Sequence, residues 1–314
     1  MSTENSYYVP EQSKLPIIAA TGMGTLAFGA ATWVIDGGSP YIFLGGLLIM
    51  ALVMYRWWSL VIDENMRGLA NQQLKQSYVL GMLWFIFSEV MFFAVFFGAL
   101  FYVRVLVNSW LGGEAAVGWF DDTPTGTAVA NNEILWPGYE SQWPVMETPD
   151  QAANGDAAQF KGPEQNMNFP GWGRILHWLP LWNTVILLTS SVTVHIAHTA
   201  LKNDNRKKFN TWLGITVALG IIFLFLQAEE YIEAYQHMGL TLETGIYGTT
   251  FFLLTGFHGA HVTLGTMMLL IQWLRGLKGH FSHDDQFGFE AASWYWHFVD
   301  VVWLGLFIFV YVLA

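Results

Sequence analysis

The sequence of 314 residues contains no cysteine, and only 12% of its residues are charged. The absence of cysteine excludes disulfides, thiolate metal sites, covalent haem attachment and cysteine-held iron–sulfur clusters. The absence of cysteine does not exclude metal sites built from histidine and carboxylate side chains. Because 54% of the residues are hydrophobic, the composition is too apolar for an ordinary soluble domain and indicates a membrane protein.

Positive charge is also scarce. The chain has 13 Lys and Arg residues against 24 Asp and Glu residues, and the net charge of −11 argues against nucleic acid as a partner. Residues 1–14 are polar with a single Lys, and no cleavage-site pattern follows the first apolar stretch. We therefore expect a retained first helix and a cytoplasmic N-terminal segment over 1–14.

Apolar stretches long enough to cross roughly 30 Å of hydrocarbon, at about 1.5 Å per residue, recur along the chain. They predict an all-α, polytopic membrane protein with seven transmembrane helices. The predicted spans are Leu15–Ile35, Tyr41–Ile62, Tyr78–Val103, Leu179–Leu201, Phe209–Tyr235, Gly245–Trp273 and Phe287–Leu313. The first span is rich in glycine and alanine, which favours close helix packing.

Lysine and arginine predict the orientation, because positively charged loops stay on the cytoplasmic side. Seven spans with the N-terminus inside and the C-terminus outside place ten of the 13 basic residues on the cytoplasmic side. A long polar segment, Ser109–Trp178, then faces outward with nine acidic and two basic residues. This segment is either a solvated loop or a negative field that attracts a basic soluble partner. The predicted domains are 15–73, holding the first two spans, and 74–314, a five-helix bundle with an insertion at about 109–178.

Glu89 lies near the middle of the third predicted span, among Phe85, Ile86, Phe92 and Phe93. A charge at that depth costs on the order of 3 kcal/mol and demands a partner, a proton or a cavity. Desolvation favours the neutral acid. Glu89 is therefore either a proton-exchanging carboxyl or a protonated strut that hydrogen-bonds another helix.

Two further pairs of ionisable residues lie three positions apart in the last two spans, His258 with His261 and His297 with Asp300. Each pair shares a helix face. Together they form either an interhelical polar network or a site for Fe, Cu or Zn. No Glu is followed three residues later by His, which weighs against a di-iron site.

Other ionisable residues lie near the predicted ends of spans. His195 and His198 are interpreted as interface histidines near the cytoplasmic end of the fourth span. A polar rim is predicted at the outer end of the fifth span, formed by Glu229, Glu230 and Glu233. Trp57 and Trp58, next to Arg56, are typical of a cytoplasmic aromatic belt.

Four runs of residues closely resemble subunit III of cytochrome c oxidase of the aa3 type. They are Phe87–Phe93, Leu226–Tyr231, Gly256–His261 and Phe287–Trp303. The similarity spans all seven predicted helices. The outer segment Ser109–Trp178 is longer than in mitochondrial members, which favours a bacterial inner-membrane protein over a mitochondrial one.

The resemblance implies a subunit without haem or copper, which packs against subunit I of a proton-pumping oxidase whose subunits I and II carry those cofactors. It implies that the first two helices lean away from the other five and leave a cleft for phospholipids. It also implies that cytochrome c donates electrons to the whole complex. The subunit sustains proton uptake and protects the oxygen-reducing site from inactivation during turnover.

The resemblance also implies residue roles. The position matching Glu89 is the carbodiimide-reactive carboxyl of the third helix. Positions around the lipid headgroups match Trp57, Trp58, Glu64 and Arg275. Arg275 is the favoured phosphate contact, because a guanidinium bonds two phosphate oxygens at once.

A proton-collecting antenna is a further hypothesis at the cytoplasmic side, because imidazole titrates near neutral pH. Its members are His280, His283, Asp284 and Asp285.

Three alternatives stay open. A quinol oxidase has a related third subunit that usually lacks the first two helices, which this chain has. A membrane metalloenzyme would hold stoichiometric metal, and a proton-coupled transporter would be active without partners.

Overall fold

The computed structural model describes residues 8–9, 11–114, 126–281 and 286–313. These residues form long helices and contain no β-strand. Seven of the helices are long and apolar enough to cross a membrane, judged by length and composition. The predicted all-α class and the seven predicted spans are therefore confirmed.

The helices are numbered in chain order, and α4 and α5 are the two short ones between the third and fourth spans. They are α1 (Leu15–Asp36), α2 (Tyr41–Met66), α3 (Gln72–Phe101), α4 (Gly126–Leu135), α5 (Pro149–Asn154), α6 (Leu179–Lys202), α7 (Arg206–His237), α8 (Gly245–Leu277) and α9 (Phe287–Leu306). α3 continues as a π-helix over Tyr102–Val107 and a helical turn over Asn108–Leu111. α9 continues as a π-helix over Phe307–Val312.

α3 begins six residues before the predicted Tyr78. The side chain of Asn71 accepts a hydrogen bond from the backbone N–H of Leu74 at 2.9 Å, which is the N-cap geometry that starts a helix. Polar residues at a helix start carry no hydropathy signal, so the apolar stretch alone places the start too late.

The chain forms two compact units, and the boundary between them falls after Gly81. In the first unit, α1 and α2 pack against each other through glycines. A Cβ atom added at Gly29 would lie 2.3 Å from the backbone N of Phe43, and one at Gly46 would lie 2.4 Å from the backbone N of Leu26. The two backbones therefore approach so closely that only glycine fits, as the composition of the first span predicts.

The second unit, from Met82 onward, is built around α9. The indole N–H of Trp296 donates to Ser190 Oγ, and that of Trp303 donates to Thr184 Oγ1, each at 2.9 Å. Both indoles are fully buried, and both acceptors lie on α6. Since a buried indole N–H needs an acceptor, these two bonds fix the register of α9 against α6.

The outer segment between α3 and α6 is held against the ends of the spanning helices by backbone hydrogen bonds. The N–H of Met167 donates to Tyr247 Oη at 3.1 Å, and that of Phe169 donates to the carbonyl of Tyr311 at 3.0 Å. The N–H of Glu164 donates to the carbonyl of Met238 at 3.1 Å. The described part of the segment is therefore a folded cover on the second unit rather than an unstructured loop.

Asp150 organises one turn of this cover. Its carboxylate accepts hydrogen bonds from the backbone N–H groups of Gln159 at 2.7 Å and Phe160 at 3.0 Å, and from the side chain of Asn154 at 2.7 Å. The bonds from Phe160 and Asn154 lower the pKa of Asp150. A lowered carboxylate pKa adds stability above the unfolded value of about 3.9, and that stability is lost as the pH falls through the folded value.

We therefore expect Asp150→Asn to loosen the turn at neutral pH, because an amide cannot accept all three bonds. Hydrogen exchange checks this, with the protection of the Gln159 and Phe160 amides corrected for the intrinsic rate at each pH. In the unsubstituted chain the protection should persist at neutral pH and fall only below about pH 4. Unchanged protection in Asp150→Asn would contradict this role.

Candidate functional site

Glu89 of α3 meets His261 of α8 inside the second unit. Glu89 Oε2 lies 3.0 Å from His261 Nε2, and the two residues are 172 positions apart in the sequence. The side chains are 22% and 11% exposed, respectively. The half-buried carboxyl therefore has a partner on another helix.

The contacts of His261 determine where its protons lie. Nδ1 is 2.7 Å from the carbonyl oxygen of Phe257, and a carbonyl can only accept, so Nδ1 carries a proton. Nε2 and Glu89 Oε2 must then share one proton, since otherwise two lone pairs would face each other at 3.0 Å. Whether that proton sits on the carboxyl or on the imidazole, the pair has no net charge.

Aromatic rings contact the imidazole of the pair. The Phe93 ring lies edge-on to the His261 imidazole with centroids 4.9 Å apart, and the Tyr295 ring stacks on the same imidazole at 6.3 Å. The Phe92 ring lies 5.9 Å from it. The pair thus joins α3 to α8 beside a surface of aromatic rings.

His258 lies elsewhere in α8 and makes different contacts. Its Nε2 is 3.2 Å from the backbone carbonyl of Val299, and its ring stacks at a tilt on Trp303 with centroids 5.1 Å apart. His258 is fully buried. It therefore ties α8 to α9 through backbone and ring contacts, not through His261.

His297 and Asp300 form the third separate contact. His297 Nδ1 lies 2.8 Å from Ser191 Oγ of α6 and 3.5 Å from Asp300 Oδ2. The Asp300 side chain is 5% exposed and that of His297 is 41% exposed. This contact links α9 to α6.

The four residues of the predicted polar network therefore do not form a single network. His261 pairs with Glu89, His258 contacts the carbonyl of Val299, and His297 contacts both Ser191 and Asp300. Within the described ranges, no three His, Cys, Asp or Glu side chains are placed to hold a metal ion. Sequence reasoning missed the Glu89–His261 pair, because three midspan histidines were candidate partners and spacing could not choose among them.

The family comparison agrees with the four sequence runs that resemble subunit III. The sequence model of the family described as Cytochrome c oxidase subunit III matches residues 5–136 and 176–314. The chain belongs to this family. The resemblance stated from the sequence is confirmed, and membership makes the chain a subunit of an oxidoreductase complex with other subunits.

Individual relatives match over nearly the whole chain. Cytochrome c oxidase subunit 3 of Hippopotamus amphibius is 35% identical over 308 residues, which cover 98% of this chain and 97% of the relative. Subunit 3 of Dugong dugon is 36% identical and that of Latimeria chalumnae 35% identical, with the same coverage of both chains. Residues 137–175 of the outer segment lie outside the match to the family sequence model.

Three of the residues to which the subunit III resemblance assigned a lipid role lie in the first unit. Trp57 and Glu64 line a pocket of about 790 Å³ that also contains Arg56 and Arg67. Glu64 Oε1 accepts a hydrogen bond from Tyr8 Oη at 3.2 Å. Trp58 of α2 is half-buried.

The fourth, Arg275, belongs to the second unit. Its guanidinium is buried, bonds Gln272 Oε1 at 3.1 Å and lies 4.9 Å from the ring centroid of Phe281. Arg275 is thus already engaged by the chain itself.

Of the predicted antenna, only His280 lies within the described residues. Burial, followed by the positive charges of Arg275 and Lys278, lowers the pKa of His280. The neutral imidazole is therefore favoured near pH 7. His283, Asp284 and Asp285 lie outside the described residues.

The two histidines near the C-terminal end of α6 differ from each other. His198 Nε2 lies 3.2 Å from Glu290 Oε1 of α9, whereas His195 is exposed. His198 therefore joins two helices, and the interface interpretation of His195 stays a prediction.

The prediction of a polar rim is wrong for Glu230. This residue is 1% exposed, and its Oε1 accepts a hydrogen bond from Tyr311 Oη at 2.6 Å. Glu229 and Glu233 are exposed. The prediction failed because Glu230 faces Tyr311 on the continuation of α9, a contact that hydropathy cannot show.

Tyr311→Phe should destabilise the second unit by about 1–3 kcal/mol, because the Glu230 carboxyl would lose the partner that compensates its burial. Thermal unfolding in detergent measures the effect, with Glu229→Gln as a control that touches only an exposed acid. Equal unfolding temperatures for the two variants would show that the bond contributes nothing.

Proposed function

We propose that the chain is the non-redox third subunit of a proton-pumping cytochrome c oxidase in a bacterial inner membrane. It packs against subunit I, retains phospholipid, sustains proton uptake and protects the oxygen-reducing site during turnover. Haem and copper reside in subunits I and II, and cytochrome c binds the complex.

The Glu89–His261 pair is the observation that carries a supporting role over a transporting one. A proton carrier must release its proton, and release here would leave net charge beside aromatic rings at membrane depth. A hydrogen bond with one shared proton leaves the pair without net charge and joins α3 to α8. We therefore assign Glu89 to the stability of the second unit and, through it, to lipid retention.

The lipid role is supported by the pocket of the first unit. Arg56 supplies a cationic group beside the amphipathic ring of Trp57, whereas Arg67 forms an ion pair with Asp63, which also lines the pocket. Guanidinium groups bind phosphate, and tryptophan prefers the headgroup level. The pocket is thus chemically suited to a phospholipid headgroup, and Glu64 also lines it. We propose that Trp58 and Arg275, which do not line this pocket, also contribute to lipid binding.

We propose a proton-collecting antenna at the cytoplasmic side. Because His280 is held neutral near pH 7, proton collection would depend on His283, Asp284 and Asp285. Replacing all four residues with Asn or Gln should slow turnover at high pH. Unchanged turnover would remove the antenna from the proposal.

A purification tests the whole proposal. The tagged chain is isolated gently, its visible spectrum, metal content and phospholipid phosphorus are recorded, and the partners are then stripped away. We expect haem, copper and phospholipid before stripping and no haem or copper afterwards. Metal that stays with the isolated chain would favour a metalloenzyme, and a quinol rather than cytochrome c as electron donor would favour the quinol oxidase alternative.

A further inference from the structure

Two buried oxygen atoms on α7 have no hydrogen-bond partner among the described residues. They are Gln227 Oε1 and Glu230 Oε2. The residues are only 7% and 1% exposed, and they lie three positions apart in the sequence, so they share one face of the helix. Buried polar groups of folded proteins are nearly always hydrogen-bonded. Both oxygens therefore require a donor.

The contacts of Gln227 fix the orientation of its amide. Nε2 donates to the backbone carbonyl of Thr255 at 2.8 Å, and a carbonyl can only accept, so the nitrogen and oxygen of the amide cannot be exchanged. α8 packs closely against this amide, because a Cβ atom added at Gly259 would lie 3.0 Å from both Nε2 and Oε1. Gln227 Oε1 is therefore an acceptor in a tightly packed place.

The Glu230 carboxyl has a partner for only one of its oxygens. Oε1 accepts a hydrogen bond from Tyr311 Oη at 2.6 Å. No Lys, Arg or His side chain of the described residues forms an ion pair with Glu230. The carboxyl interacts electrostatically with the phenols of Tyr231 and Tyr247, so both phenols lie in its neighbourhood.

Of these two phenols, Tyr247 has an unused donor. Tyr231 Oη lies 2.6 Å from the hydroxyl of Thr255. Tyr247 Oη accepts a hydrogen bond from the backbone N–H of Met167 at 3.1 Å, and its own O–H donates to no described residue. Tyr247 is 1% exposed, so bulk water does not satisfy this donor. One buried donor and two buried acceptors thus lie at the same end of the second unit.

We propose that one water molecule is bound between α7 and α8, where it accepts from Tyr247 Oη and donates to Glu230 Oε2 and Gln227 Oε1. Buried waters typically make about three hydrogen bonds to groups that are otherwise unsatisfied. A proton on Glu230 that bonded Gln227 directly would leave the O–H of Tyr247 without an acceptor. A metal cation would satisfy the two oxygens, but it offers no acceptor to that O–H.

The water connects the outer segment to the helices beneath it. A chain of hydrogen bonds runs from the N–H of Met167 through Tyr247 and the water to Glu230. Tyr311 donates to the same carboxyl, and its backbone carbonyl accepts from the N–H of Phe169 at 3.0 Å. The water therefore closes a ring that begins and ends on the outer segment. The inference goes beyond the proposed function and uses only contacts within the second unit.

Radiolytic hydroxyl-radical footprinting of the intact purified complex tests the site. Radicals formed from a bound water oxidise the side chains beside it, even where bulk solvent has no access. Tyr247 and Tyr311 are each 1% exposed, and we expect both to be oxidised. Phe209 is the control, because it is also 1% exposed and packs against the rings of Phe281 and Phe289. We expect Phe209 to stay unmodified.

A matched pair of variants links the oxidation to Glu230. Glu230→Gln keeps a polar group that can bond the water, whereas Glu230→Leu removes it. We expect oxidation of Tyr247 to persist in the glutamine variant and to be lost in the leucine variant. Equal oxidation of Tyr247 in both variants would overturn the inference. If the leucine variant does not assemble, the unsubstituted complex decides, because Tyr247 and Tyr311 as unreactive as Phe209 would equally overturn it.

Discussion

Gly29→Val is expected to destabilise the first unit by about 3 kcal/mol or more. A Cβ at residue 29 would lie 2.3 Å from the N atom of Phe43 and 2.7 Å from the carbonyl carbon of Ile42. These are backbone atoms of α2, so they cannot turn aside as a flexible side chain would. α1 and α2 must separate to admit the new side chain, and the pocket beside Trp57 should lose its lipid.

Gly24→Val and Gly45→Val are the matched controls, because a Cβ at either residue meets nothing within 4 Å. Both glycines lie inside the same two helices, so the controls share the change in helix propensity and differ only in the contact. Thermal unfolding and phospholipid phosphorus are measured for all three variants. If Gly29→Val unfolds at the temperature of its controls, the close approach of α1 and α2 is wrong.

Glu89→Ala should destabilise the second unit by about 1–3 kcal/mol, because it leaves His261 Nε2 buried without its partner. His261→Ala should have a similar effect, since it leaves the carboxyl among aromatic rings. The two groups lie 3.0 Å apart, so the effects should not add.

A double-mutant cycle measures this coupling by thermal unfolding in detergent. We expect the double variant to be about as unstable as either single variant, with a coupling energy of about 1–2 kcal/mol. Combining Glu89→Ala with Glu229→Ala is the control, because Glu229 is exposed on α7 and its effect should simply add. Additive effects of Glu89→Ala and His261→Ala would show that the hydrogen bond contributes nothing.

Much of the fold follows from the sequence, because hydrocarbon imposes one simple requirement on each span. A run of apolar residues must form a helix there, since no water is present to bond the backbone. The spans beginning at Leu15, Tyr41, Leu179, Gly245 and Phe287 therefore start where the sequence predicts. The start of α3 is misplaced because it is set by the side chain of Asn71, a local hydrogen bond that hydropathy ignores.

The contacts between helices are less predictable. Burial required a partner for Glu89, but only the three-dimensional packing selects His261 over His258 and His297. Glu230 shows the same limit, because its partner Tyr311 lies 81 positions away in the sequence. Sequence identifies which groups need partners, whereas tertiary structure decides which partners they receive.

We propose that Glu89 holds the second unit together as half of a neutral pair and does not carry pumped protons. Glu89→Gln tests it most directly, because the amide can donate to His261 Nε2 and keep the hydrogen bond without an acid. The measurement is the number of protons pumped per electron by the reconstituted oxidase, together with subunit and phospholipid content. We predict that all three are unchanged, whereas loss of pumping with normal assembly and lipid content would contradict the claim.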